Sequence, residues 1–504
     1  MIEDLRGKMA RGVVWMVLLR LLDRGIGFLS TLVLARLLTP DNFGIVAMAT
    51  SLIAMLELIA AFGFDMALIQ RTKPTRAHYD TAWTFTVILG CILSVLLVGL
   101  SWPVAWFYGR PELLHVIWAL AFGSLVQGFQ NIGTVAFRKD MEFHKEFRFV
   151  ASKRLVTVPI TITLAYLLRN YWALVAGMVA GRVVDVWLSY RFHPHRPRFD
   201  LSATADLLHF SKWLLLVNAL QFLRDRSPDF IIGRIAGPHA LGLFSIASEL
   251  ANMPGTELVA PINRAVYPAY AQIAGDPVAL QREYVSVMAL ICLLAIPAVT
   301  GVAATATLIV PLALGDKWLS AIPILQVLAF LGITQVMLSN AYSVCLALGR
   351  GNVFAYLNAG FVAILLALLV PMVQWDGARG AAYAYLLSAS VMLPISVAVI
   401  LRILDLPLKR FVSAVWRPLL ASSIMFAIVE RYASAQAADS IANVSGSVAI
   451  AVLFGIAVYT AAIAIAWMLS GRPASAEAVV LARVQTYWRN AMALRRNRAT
   501  RNPK

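Results

Sequence analysis

Runs of about twenty apolar residues recur along the whole chain with only short polar breaks between them. They lie near residues 12–34, 43–68, 82–107, 113–136, 149–168, 171–192, 207–233, 240–266, 284–311, 320–347, 353–373, 380–402, 411–430 and 446–469. A helix of that length crosses about 30 Å of hydrocarbon while satisfying its own backbone hydrogen bonds. The chain is therefore expected to be an all-α polytopic membrane protein with about fourteen transmembrane helices. Composition agrees: 60% of residues are hydrophobic and 14% charged, against about 25% charged in a soluble domain.

The most polar early break, HPHRPRFDLSATAD, is proline-rich and reads as a linker. The expected organisation is a six-helix bundle over 1–192, a cytoplasmic linker over 193–206, a second six-helix bundle over 207–402, two further helices within 403–470, and a basic cytoplasmic tail over 471–504. In that tail Val480, Val484 and Trp488 recur at helical spacing. They fit either an amphipathic helix on the anionic inner leaflet or a solvated tail.

The net charge of +17 would suggest nucleic acid in a soluble protein, but here it sorts by side of the membrane. Of 43 Lys and Arg residues, 26 fall in loops on the side of the N-terminus, 7 on the other side and 10 within spans. The positive-inside rule places both termini in the cytoplasm. One missed or invented helix would have mixed the two sets, so the alternation also supports the number of spans. No nucleic-acid partner is implied.

RLLTPDNFGIVAMA (36–49) and RIAGPHALGLFSIA (234–247) share R-x-x-x-P-x-x-x-G at one offset, the mark of a duplication. The repeat spans an even number of helices, so the halves run parallel, about an axis along the membrane normal. Such halves suit a transporter with its site at their seam.

Charges inside the spans concentrate in spans 1, 2, 5, 6, 7 and 8. The basic set is Arg20, Arg24, Lys153, Arg154, Arg182, Lys212, Arg224, Arg226, Arg264 and, near a span end, Arg417; the acids are Asp23, Glu57, Asp65, Asp185, Asp225, Asp229, Glu249 and Glu257. A charge facing lipid at the bilayer centre costs about 2.5–3.5 kcal/mol even on the lenient scale. Charged spans should therefore line the cavity, and spans 3, 4, 9, 10, 11, 12 and 14 should face lipid. Some pairs, such as Arg182 with Asp185, could be neutralised ion pairs, but the basic excess points to an anionic guest. Arginine suits phosphate through its paired donors, which makes Arg20, Arg24, Arg154, Arg182, Arg224, Arg226 and Arg264 candidate substrate ligands. Glu57, Asp65, Glu249 and Glu257, on corresponding helices of the two halves, are coupling candidates. Glu57 leads them, because LIAMLELIAAF places no basic residue within one helical turn of it. Pro228, Pro254 and Pro261 should kink spans 7 and 8.

No phosphate-binding G-x-x-x-x-G-K-[ST] loop, H-E-x-x-H or D-x-D motif occurs. Cys91, Cys292 and Cys345 lie within apolar runs at unrelated spacings. Neither a catalytic site nor a metal or cofactor is expected, and the chain does not read as an enzyme.

LARLLTPDNFGIVAMATSLIAMLELIAAFGFDMALIQR (34–71), its echo GRIAGPHALGLFSIASELANMP (233–254), GDKW (315–318) and LALGRGN (346–352) resemble the Wzx-like polysaccharide transporter branch of the MOP superfamily. The resemblance implies a V-shaped pair of six-helix bundles with two appended helices. It also implies a bacterial inner-membrane flippase moving an undecaprenyl-diphosphate-linked oligosaccharide through a cationic central cavity, among membrane lipids and beside polysaccharide polymerase or export machinery. The alternatives are a cation-coupled multidrug extruder of the same superfamily, which would favour acids in the cavity, and a membrane-embedded glycan polymerase or ligase. The second alternative would need a sizeable outer loop, and the longest here, 431–445, is bland.

Overall fold

The computed structural model describes residues 2–60, 64–71, 74–204, 212–436, 441–473 and 475–478. Every described regular element is a helix: α1 (Ile2–Leu37), α2 (Pro40–Ala60), α3 (Phe64–Gln70), α4 (Arg76–Tyr108), α5 (Glu112–Gly128), α6 (Ala136–Lys139), α7 (Phe143–Leu168), α8 (Trp172–Phe192), α9 (Lys212–Ile235), α10 (Gly237–Pro254), α11 (Ala260–Ile273), α12 (Pro277–Ala304), α13 (Ala306–Ala313), α14 (Ile322–Ala347), α15 (Gly351–Ile403), α16 (Leu408–Gln436) and α17 (Ile441–Leu469), with short 3₁₀ or π turns between some of them. Val480, Val484 and Trp488 lie outside the described residues.

Among the described residues nine helices are long and apolar enough to cross a membrane, or ten if α5 and the segment Ile132–Lys139, bent by 68°, make one span. α15 carries two spans, because Asp376 and Gly377 leave helical geometry halfway along its 53 residues. The charged helices α1, α9 and α10–α11 are not among the nine. With these included, most of the described residues of the fourteen apolar runs fall on helix.

Proline flanks a change of helix type in span 8. α10 ends at Pro254, a wide π turn covers Gly255–Val259, and α11 resumes with Pro261 in its first turn, where its missing N–H costs nothing. Pro228 sits within a continuous α9. Asp276 starts α12 by accepting from the amides of Val278 and Ala279, both at 3.0 Å, ahead of Pro277.

By contact the chain divides into two compact units. The first comprises residues 1–245, 313–318 and 373–378; the second comprises 246–312, 319–372 and 379–504. In the second, α12 packs against α14 and α16, and α16 against α17. Tyr270 and Tyr284 are buried at its core, where Asn340 donates to the Tyr270 hydroxyl at 2.7 Å. Arg417 pairs with Glu477 at 2.7 Å, and both side chains are buried, which fastens the chain after α17 back onto α16.

In the first unit α1 packs on α7, α7 on α8, α8 on α5, α5 on α4, and α9 on α2. Here the duplicated motifs meet each other. A Cβ on Gly44 would lie 1.8 Å from the carbonyl oxygen of Pro238, and a Cβ on Gly242 would lie 1.9 Å from that of Pro40. The glycine of each copy thus admits the backbone of the other, while Asp41 faces His239, its counterpart in the duplication, at 2.9 Å. The GDKW segment closes on the same place. Trp318 is fully buried, donates from Nε1 to the Ala35 carbonyl at 2.8 Å and meets Phe43 edge-on. The motif that carried the resemblance is thus a plug beneath the α1–α2 turn.

Candidate functional site

A cavity of about 670 Å³ lies within the first unit, with walls from α2 to α9. That size suits a small organic ligand or part of a larger one. Its charged lining is Glu57, Arg138, Glu146 and Arg182; Ser124, Gln127, Asn131 and Asn218 add uncharged polar groups.

Arg182 projects from α8 across to α5. Its Nη1 donates to Ser124 Oγ at 2.6 Å and to the Leu120 carbonyl at 3.3 Å, while Nη2 stands 3.8 Å from Glu57 Oε1. Among the described residues no hydrogen bond occupies Nε or Nη2. A guanidinium fixed at one end with donors left over is suited to a bidentate acceptor such as phosphate. Arg138 is held by Glu146 at 2.6 Å.

Two of the sequence candidates, Glu57 and Arg182, come together here. Glu57 does not have the isolated, buried setting inferred for it. Its side chain is 56% exposed and its nearest cation comes from another helix, which spacing along its own helix could not reveal. Arg182 and Asp185 are not partners either. One turn apart on α8 they point to different neighbours, and Asp185 takes Lys153 of α7 at 2.7 Å and Gln127 Nε2 at 3.5 Å. Asp185 Oδ1 is buried without a hydrogen bond. Arg154 reaches Asp23 of α1 at 2.6 Å, so the charges of the first span tie α1 to α7. Arg20 and Arg24 lie on the same helix, outside the cavity lining.

Arg224 pairs with Asp225 at 2.8 Å and Arg226 with Asp229 at 3.1 Å on α9, again outside the lining. Arg264, Glu249 and Glu257 belong to the second unit, where Arg264 Nε donates to the Ala260 carbonyl at 3.3 Å. Asp65 lies on α3, and its side chain is outside the described residues. The assignment of spans 3 and 4 to lipid is corrected: Thr86 and Gly90 of α4 and Ser124 and Gln127 of α5 line the cavity. Counting charges misses walls built from hydroxyls, amides and bare backbone. The signal available was the polar sequence SLVQGFQN within an apolar run.

Beyond α8 the chain is strapped along the unit. Asn131 Nδ2 donates to the carbonyls of His195 at 2.8 Å and His193 at 3.4 Å, Asp80 and Thr84 accept from the amides of Arg198 and Asp200, and Thr81 accepts from that of Ala203. His195 Nε2 lies 3.1 Å from Asp80 Oδ1, off the line of a hydrogen bond. Burial lowers the pKa of both His193 and His195, and in His195 the Asp80 carboxylate works against that shift. Because the folded state resists protonation, the strap is stable above the ordinary histidine pKa of about 6.5 and weakens as pH falls below it. Protease cleavage within 193–204 should rise as pH drops from about 7 to 5.5, and a His193→Gln/His195→Gln variant should lose that dependence. An unchanged pH profile in the variant would assign the effect elsewhere.

The fold defines a class, the polytopic helical membrane proteins. Residues 33–323 match the family described as polysaccharide biosynthesis protein, and the chain belongs to that family. It is 24% identical over 424 residues to the lipopolysaccharide biosynthesis protein WzxC of Escherichia coli (strain K12), covering 82% of this chain and 85% of that protein. It is also 24% identical over 374 residues to the teichuronic acid biosynthesis protein TuaB of Bacillus subtilis (strain 168), covering 73% and 77%. Among solved structures it shares the fold of the lipid II flippase MurJ in an inward closed conformation, with a TM-score of 0.72 at 12% identity over 90% of this chain and 99% of that one. An inward-facing multidrug resistance MATE family transporter of the MOP superfamily aligns with a TM-score of 0.58 at 14% identity over 78% and 98%.

Proposed function

We propose that the protein is a flippase, not an enzyme, that moves an undecaprenyl-diphosphate-linked oligosaccharide repeat unit across the bacterial inner membrane for surface polysaccharide synthesis. The observation that carries this proposal is family membership over most of the length of relatives named for polysaccharide synthesis. Arg182, with free donors in a cavity walled by helices α2 to α9, supplies a group able to hold a diphosphate. Both termini lie in the cytoplasm in this reading, which the 26 to 7 basic split supports. Transport proceeds by exposing the binding groups to the two faces of the membrane in turn, within the repeated bundles 1–192 and 207–402. Glu57, whose Oε1 stands 3.8 Å from Arg182 Nη2, is the leading coupling candidate.

The test is a deletion strain. Lipid-linked repeat units should accumulate on the cytoplasmic leaflet and return to normal on complementation. Accumulation on the outer leaflet would indicate a polymerase or ligase instead. Unchanged lipid-linked pools with altered drug tolerance would indicate the extruder.

A further inference from the structure

A second cavity, of about 390 Å³, is lined by Lys145 and Arg148 of α7 and by Arg191 and Phe192 of α8. It lies where α7 begins and α8 ends, in the basic loops that the charge split assigns to the cytoplasmic surface. Three of its four lining residues are cationic, and their convergence is not explained by folding. Lys145 and Arg148 are one turn apart on one helix, a like-charge spacing that destabilises it. Lys145 also stands in the first turn, where the helix dipole disfavours a cation.

Acids nearby neutralise only one of the three cations. Glu142 pairs with Lys145 at 2.7 Å, but Glu146 turns into the first cavity and is held by Arg138. Among the described residues no carboxylate pairs with Arg148 or Arg191. Lys145 also acts on His193 next door, where burial is the largest cause of its lowered pKa and His195, Lys145 and Arg196 push the same way against Glu142. The apolar wall is fixed, since Phe192 packs edge-on against Phe149.

We propose that this pocket binds the phosphate-ester headgroup of an anionic lipid in the cytoplasmic leaflet. Two arginine forks arriving from adjacent helices can share the oxygens of one phosphate, and Phe192 covers the first carbons beyond it. Basic pockets between membrane helices on the cytoplasmic side have the electrostatics for such headgroups. The lipid is either a bulk anionic phospholipid or the diphosphate-linked cargo on its way to transport. Only the second source rests on the proposed function.

Binding is measured directly, without transport, on the detergent-solubilised full-length chain. Fluorescent phosphatidylglycerol is titrated, with phosphatidylcholine as control and with undecaprenyl diphosphate and inorganic phosphate as competitors. Phosphatidylglycerol should bind more tightly than phosphatidylcholine. An Arg148→Ala/Arg191→Ala variant should lose about 30-fold in affinity, and Arg148→Lys/Arg191→Lys should keep part of it while eluting as the same monodisperse species. Preferential binding of undecaprenyl diphosphate, lost in the same alanine variant, assigns the headgroup to the cargo and also upholds the site. Equal affinity for the two phospholipids with no arginine-dependent binding of undecaprenyl diphosphate, unchanged lipid affinity in the alanine variant, or displacement by inorganic phosphate as effective as by lipid would overturn it.

Discussion

Gly44→Val and Gly242→Val should each abolish polymer export and lower the thermal stability of the purified protein. The carbonyl oxygens of Pro238 and Pro40 stand 1.8 and 1.9 Å from where the new Cβ atoms would be. Both obstacles are backbone in rigid proline-led turns, so no side chain can swing aside to make room. Overpacking a core ordinarily costs about 1–3 kcal/mol, and the loss here should reach or exceed the top of that range. The two variants should behave alike, because each glycine faces the proline of the other copy. Gly99→Val, where nothing lies within 4 Å of the glycine, is the control. Normal melting and export in both variants would mean that the two motifs do not pack as described.

Arg182→Ala should have the second large effect, and it should act on function more than on folding. The substitution leaves Ser124 Oγ able to turn back to the Leu120 carbonyl, which already accepts from it at 3.1 Å, and leaves Glu57 half exposed to solvent. Stability should therefore fall by only about 1–3 kcal/mol, with the protein still in the membrane. Export should drop at least tenfold if the guanidinium holds the diphosphate, since each charge-assisted bond is worth about 1.5–3 kcal/mol. Arg182→Lys should recover part of it, keeping charge but not the fork. Loss of protein in parallel with loss of export would instead make Arg182 a structural residue.

Much of this architecture was legible because the bilayer leaves a chain so few options. Apolar run length gave the helices, and the R-x-x-x-P-x-x-x-G repeat marked the two places where backbone meets backbone. What the repeat could not show is that the copies would pack on each other. That is a fact of tertiary approach, visible only when Gly44 is seen against Pro238.

The site was legible in part for a related reason. Spacing along a helix shows which residues share a face, and it correctly set Arg182 and Asp185 one turn apart. Their partners come from flanking helices, α5 and α2 for one and α7 for the other, so the pair that looked internal is divided between neighbours. Gln127, Asn131 and Ser124 carry no charge and left little trace in a count of ions, yet they form as much of the wall as the arginines do. The charged lining is also balanced, two arginines against two glutamates. Arg154, Arg224 and Arg226 are each neutralised in an ion pair, and Arg148 and Arg191 gather at the second pocket.

The most direct measurement is leaflet assignment of the lipid-linked repeat unit in proteoliposomes containing the purified chain. With a membrane-impermeant reagent that modifies only exposed sugar, wild-type protein should render the inner-leaflet pool accessible over time. Arg182→Ala should leave it protected, and empty liposomes should match the variant. If wild-type protein moves no more of the lipid-linked sugar than empty liposomes under imposed proton or sodium gradients of either sign, the chain is not the flippase described here.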